Sequence, residues 1–194
     1  MQRLTPNDLL PLEQYAAQRA AWRERVIAHK QPRTLHVGPN TTWCFEDRLT
    51  IQYQIQEMLR AERTFEPAGI ADELGAYNPL IPDGANWKVT LMIEFPNPAE
   101  RAQALMRFKG IERRCWVRAG GLDKVYAIAD EDLERETEAK TSAVHFLRFE
   151  LAAAMISALR AGRPLAVGID HPSYMHSIDP VPPASVQSLL ADFD

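Results

Sequence analysis

Leu12, Tyr15, Trp22 and Val26, with Arg19 among them, recur at three- and four-residue spacing and predict an amphipathic helix running to about His29. Thr5-Pro6-Asn7-Asp8 marks its start, with Thr5 as N-cap, Pro6 at the first helical position and Asp8 as the capping-box acid. Pro32 ends it. Two short alternating runs, Thr34 to Val37 and Thr42 to Phe45, flank Gly38-Pro39-Asn40, a composition suited to a hairpin turn. Asp47 caps a second helix from Arg48 to about Phe65, and Pro67 opens a third that stops near Tyr77-Asn78-Pro79. Trp87 to Phe95 has the β-branched and aromatic content of a strand, and Pro98 opens a helix with Gly110 as its C-cap.

Cys115 to Ala119 and Leu122 to Ala127 bracket Gly120-Gly121 as a second hairpin. The acidic run Asp130 to Glu138 reads as a solvated loop or as the exposed start of a long helix that continues through Lys140 to Ala161 and stops at Gly162. Leu165 to Ile169 is a strand, His171-Pro172-Ser173-Tyr174 turns the chain, and a final amphipathic helix carries Val186, Leu189, Leu190 and Phe193. Hairpins interspersed with helices, without regular strand–helix alternation, predict an α+β fold. It is a single domain over residues 1–194, with a mainly antiparallel sheet of about five or six strands and helices packed on its face.

Composition narrows the function classes. Of 194 residues, 46% are hydrophobic and 25% charged, enough to form a core without metal or disulfide staples. The 22 basic against 26 acidic side chains give a net charge of -4, which argues against a general nucleic-acid binder or a polybasic membrane surface. The basic positions of the first helix, Arg19, Arg23, Arg25, Lys30 and Arg33, have no aromatic stacking platform beside them. No signal-peptide pattern opens the chain and no stretch approaches the roughly 20 apolar residues of a membrane span, so the expected location is cytoplasmic. Cys44 and Cys115 form no CxxC pair and are expected as packing residues rather than a redox couple. GxGxxG, GxxxxGK, GxSxG and HExxH are all absent.

The informative residues are polar ones where the pattern demands apolar ones. On a helical projection of the long segment ending at Ala161, Val144, Leu147, Leu151, Met155 and Leu159 form an apolar arc, and Thr141, His145 and Arg148 fall inside it. In the second helix the arc of Ile51, Ile55, Met58 and Phe65 contains Glu62, with Gln54 at its edge. A buried arginine needs a carboxylate, so Glu62 is the expected partner of Arg148. The pair would either fix helix register or, with Thr141 and His145, form a ligand site. Glu57, one turn from Tyr53 and Arg60, reads as an ordinary surface pair. Asp170-His171-Pro172-Ser173-Tyr174 with His176 is the second cluster. His171 and His176, joined by His145 or a glutamate, would supply a nitrogen and oxygen metal set; the alternative is a turn whose Asp170 caps backbone amides and whose Tyr174 packs.

Phe45-Glu46-Asp47 with Thr50, Gln54 to Met58, Tyr77-Asn78, Thr90-Leu91 with Glu94, Val144 to Leu147 with Phe149, and Asp170-His171-Pro172 with Tyr174 together resemble an uncharacterised bacterial family, the domain of unknown function DUF3501, across nearly the whole chain. The family supplies no catalytic residues. The resemblance implies a setting beside rubrerythrin-like and iron–sulfur proteins, and hence a redox or peroxide-stress association. Two expectations follow. One is a non-enzymatic accessory or interaction protein with a redox protein partner. The other is an enzyme or small-anion or metal-binding protein whose pocket holds Glu62, His145, Arg148 and His171, the arginine clamping a carboxylate or phosphate. Neither names a cofactor.

Overall fold

The computed structural model describes residues 1–132 and 135–193. Thr5 and Asp8 form the capping box of a short 3-10 turn, Pro6–Asp8, and helix α1 (Leu12–Lys30) follows. Strands β1 (Thr34–His36) and β2 (Thr41–Glu46) pair antiparallel. At their turn Gly38 has φ +80°, and a β-carbon there would lie 2.6 Å from the Tyr174 hydroxyl, so glycine is required on both counts. Helix α2 (Arg48–Glu62) starts at Asp47, whose carboxylate accepts from Thr50 N, and Pro67 opens α3 (Pro67–Tyr77). Strand β3 (Asn86–Ile93), helix α4 (Pro98–Arg107), and strands β4 (Cys115–Ala119), β5 (Val125–Tyr126) and β6 (Ile128–Ala129) come next.

Between Lys140 and Ala161 the expected long helix is not formed, and residues 133 and 134 of the acidic run before it lie outside the described residues. Val144–Glu150 is strand β7, and only Ala153–Arg160 is helical, as α5. The period is two rather than 3.6: His145, Leu147 and Phe149 are buried while Val144 and Glu150 are exposed, and Phe146 and Arg148 share their outer face. Pairing with β3 in register, Leu91 opposite His145 and Val89 opposite Leu147, satisfies the backbone that a helix would have satisfied internally. Strands β8 (Leu165–His171) and β9 (Tyr174–Ile178) and helix α6 (Pro183–Leu190) complete the chain.

The α+β class and the antiparallel pairing stand, but the strands divide between two sheets: a larger one, β1-β2-β3-β7-β6, and a smaller one, β5-β4-β8-β9. Their inner faces share one core, with Trp43, Trp87, Leu91 and Phe149 of the larger sheet clustering with Val117, Val167 and Ile169 of the smaller. Trp43 stacks on Phe149 with ring centroids 5.6 Å apart. A separate apolar cluster, Ile51, Ile55 and Leu59 of α2 with Leu74 of α3, Leu4 and Ile81, forms a helical layer. That layer lies over the outer face of the larger sheet, leaving clefts between them.

A buried arginine does exist, though not the expected one. Arg33, 2% exposed, donates to the carbonyls of Phe45 and Glu46 at 3.0 and 3.2 Å and to Asp192 Oδ2 at 2.6 Å. It thereby ties α6 to the edge of β2, where Trp87 Nε1 donates to Leu189 O at 3.0 Å and Phe193 packs on the Trp87 ring. Both cysteines are free: Cys115 is buried, Cys44 half-buried, and burial raises both thiols above their ordinary pKa.

Candidate functional site

Thr141 and His145 come together as expected, but with Asp130 rather than Arg148. The His145 ring is fully buried, its Nδ1 2.6 Å from Asp130 Oδ2 and its Nε2 2.9 Å from the Thr141 hydroxyl. Asp130, at φ 51°, also accepts from Phe146 N at 3.0 Å. The acid–imidazole–hydroxyl chain has the members of a nucleophile relay, yet Thr141 is 1% exposed, so its hydroxyl has no access to a substrate. The chain instead anchors the turn after β6 against β7.

Arg148 points the other way, because residues three apart share a face on a helix and lie on opposite faces of a strand. Its guanidinium grips Glu131 with two bonds of 2.8 Å and Glu150 with one of 2.6 Å. Glu62, the last residue of α2, is exposed. The expected Glu62–Arg148 ion pair therefore does not form. Glu57 binds across to α1, accepting from Tyr15 and Arg19 rather than pairing within α2.

The histidine metal set is not assembled either. Both His171 nitrogens serve the backbone, Nε2 meeting Lys109 O at 3.0 Å and Nδ1 accepting from Ser173 N at 3.2 Å. His176 lies against the Tyr174 ring, and His145 belongs to the other sheet. Among the described residues no group of three or more His, Cys, Asp and Glu is placed to hold a metal ion. Tyr174 packs, as in the alternative reading of this turn, and its hydroxyl accepts from Asn40 N and donates to Val37 O. Among the described residues Asp170 caps no backbone amide; it collects the Trp116 indole, Lys124 and Tyr126.

Arg148 does border a cleft. A cavity of about 460 Å³ opens between α3 and the outer face of the larger sheet, with Tyr77 and Leu80 on the helical side and Lys88, Phe146 and Arg148 on the strands. A second cavity of about 270 Å³ shares Tyr77, Leu80 and Phe146 with it and reaches Cys44, Glu46 and Thr90. The first volume suits a small organic molecule, and its wall surface is mostly apolar although nearly half of the lining residues are charged.

Most of those charges are already spent. Arg148 is held by Glu131 and Glu150, and Arg135 lies 3.3 Å from Asp130 Oδ1, pairs with Asp132, and sits 4.6 Å from the centre of the Phe146 ring. Lys88 is different. It stands in the centre of the larger sheet, opposite Glu46 on β2 and Arg148 on β7, and no hydrogen bond or ion pair reaches its Nζ among the described residues. Glu46 is turned to Thr90, whose hydroxyl donates to it at 2.7 Å. Burial, and then the neighbouring Arg148 charge, hold the Lys88 ammonium below the ordinary lysine pKa.

Neither Lys88 nor the cleft was singled out from the sequence. The available signal was a lysine between Trp87 and Val89 in the segment most like a central strand, where the outward face carries a charge only at some cost. The mistaken helix hid its neighbour Arg148.

The sequence profile of the family described as "Protein of unknown function (DUF3501)" matches residues 3–193. A crystal structure described as a novel protein of unknown function from Burkholderia pseudomallei K96243 is 51% identical, covers 100% of both chains and superposes with a TM-score of 0.95. No curated protein matches the chain.

Proposed function

The chain belongs to the DUF3501 family of proteins of unknown function, and from its own geometry we propose that it binds a small organic anion in the cleft between α3 and the larger sheet. The observation that carries this reading is Lys88: a half-buried ammonium without a partner among the described residues, facing a mostly apolar cavity of about 460 Å³. An unpaired charge partly withdrawn from bulk water is a standing cost, and a ligand carboxylate would offset it with a charge-assisted hydrogen bond. Tyr77, Leu80 and Phe146 offer apolar surface to the rest of the molecule. This is the binding-protein half of the expectation drawn from Arg148, relocated to a face that excludes His145, His171 and Glu62 as direct ligands.

Hexanoate, a carboxylate on a short apolar chain, is the probe. Titrated into isotope-labelled protein, it is expected to shift backbone amide resonances of β3, β7 and α3 saturably, and Lys88→Met is expected to abolish the saturation. Shifts that are absent, scattered over the surface, or unchanged in Lys88→Met would refute the reading.

A further inference from the structure

A second unsatisfied group narrows what the cleft accepts, an inference that rests on the cleft being a ligand seat. Glu73 of α3 lines the same cavity, and its Oε2 is buried with no hydrogen-bond partner among the described residues. Burial raises its carboxyl pKa, helped by the nearby negative charges of Glu62 and Asp72. Lys88 does not neutralise it. No hydrogen bond or ion pair joins the two among the described residues, and Glu73 Oε2 remains without a partner. Among the charged residues lining the cleft, Glu131, Asp132, Arg135 and Arg148 are all in ion pairs. One cation on the strand side and one anion on the helical side are left over.

From this we infer that the ligand is a zwitterionic amino carboxylic acid, its carboxylate on Lys88 Nζ, its ammonium on Glu73 Oε2, and an apolar spacer between them along Tyr77, Leu80 and Phe146. A ligand bearing only a carboxylate would leave the buried Glu73 oxygen unpartnered and bring a second negative charge into its cavity. One bearing only an amine would strand Lys88 in the same way. A bipolar molecule satisfies both walls at once.

Three probes of one chain length separate the cases: 6-aminohexanoate, hexanoate and hexylamine, each titrated by amide chemical shift into the wild type, Lys88→Met and Glu73→Gln. The wild type is expected to bind 6-aminohexanoate about tenfold more tightly than either singly charged analogue, the size of one good charge-assisted contact. Glu73→Gln should weaken 6-aminohexanoate and, by removing the cavity's own negative charge, bind hexanoate at least as tightly as the wild type does, so that the preference for the zwitterion disappears. Lys88→Met should weaken both carboxylates. Both substitutions remove an unpaired charge, and an unfolding midpoint at or above that of the wild type confirms that each variant is folded. Equal wild-type binding of 6-aminohexanoate and hexanoate, with Glu73→Gln silent, would overturn the zwitterion and leave the anion cleft standing. Failure of both carboxylates to bind would overturn both readings.

Discussion

Replacing Arg33 by methionine removes an arginine that the fold encloses on every side while keeping most of its apolar stem. Its side chain is 2% exposed, and that of its partner Asp192 is 1% exposed. The substitution deletes the 2.6 Å contact to Asp192 and the donors to Phe45 O, Glu46 O and Ser188 O. Truncating one member of a buried pair typically costs about 3–5 kcal/mol, because the other is left as an uncompensated charge. Asp192 is poorly placed to absorb that loss, since its Oδ1 already lacks a partner among the described residues. At roughly 2–4 °C per kcal/mol for a chain of this size, the unfolding midpoint is expected to fall on the order of 10 °C.

The pH dependence gives the same reasoning a sign. Burial pushes Asp192 up to about 6 from 3.8, outweighing Arg33, so the folded state binds this proton more readily than the unfolded chain. Its contribution to stability is full below pH 3.8 and is lost as pH rises through about 6. The span corresponds to about 3 kcal/mol. A neutral carboxyl needs Arg33 far less, so the penalty of Arg33→Met should shrink between pH 7 and pH 5. Asp47, whose pKa is lowered despite burial, chiefly by Arg33 and by Thr50 N and His29, runs in the opposite direction, which is why variants must be compared at each pH. The assay is guanidinium unfolding at pH 5 and 7 for the wild type, Arg33→Met and Arg33→Met with Asp192→Leu. The double variant should recover about 2 kcal/mol or more of the loss. A single-variant cost below about 1 kcal/mol, or a double variant no better than the single, would refute the argument.

Lys88→Met is expected to leave the apo protein equally stable or about 0.5–1 kcal/mol more stable, because an unpaired half-buried ammonium gives way to an apolar chain of similar length; a marked loss in thermal unfolding would show that Lys88 has a structural partner. His145→Phe should cost about 2–4 kcal/mol by stranding Asp130 and the Thr141 hydroxyl, while hexanoate affinity in the refolded variant stays unchanged, and weakened binding would tie the buried chain to the cleft. Cys44 and Cys115 should both remain titratable as thiols after mild oxidation, with an intramolecular disulfide by mass as the contrary result. Because the inner faces of both sheets share one core, thermal unfolding is expected to be a single transition, and two resolved transitions would count against one cooperative unit.

Local grammar carried much of the fold. Asp47 caps α2, Pro67 and Pro98 open α3 and α4, and Gly38-Pro39-Asn40 turns β1 into β2, because caps and turns are decided by groups within a few residues of one another. The β-branched and aromatic content from Trp87 onward marks β3 as a strand, and pairing between strands separated in sequence places it at the centre of the larger sheet. The segment Val144–Glu150 reads as helix from sequence because its seven residues satisfy both periods in part; its strand identity comes from the ladder offered by β3, a partner distant in sequence. That one assignment turned Arg148 away from His145. The rule that a buried arginine must meet a carboxylate was sound, and it is obeyed by Arg33 and Asp192, whose chain separation no pattern could bridge. Lys88 and Glu73 were each visible as charged residues in amphipathic elements. Their lack of partners among the described residues, and their facing of one cleft, arise only when α3 settles over the larger sheet. The sequence by itself determined the local elements and the need to pair buried charge; the tertiary structure decided which charges are paired and which are left facing a cavity, because that depends on distances between segments that local chemistry does not set.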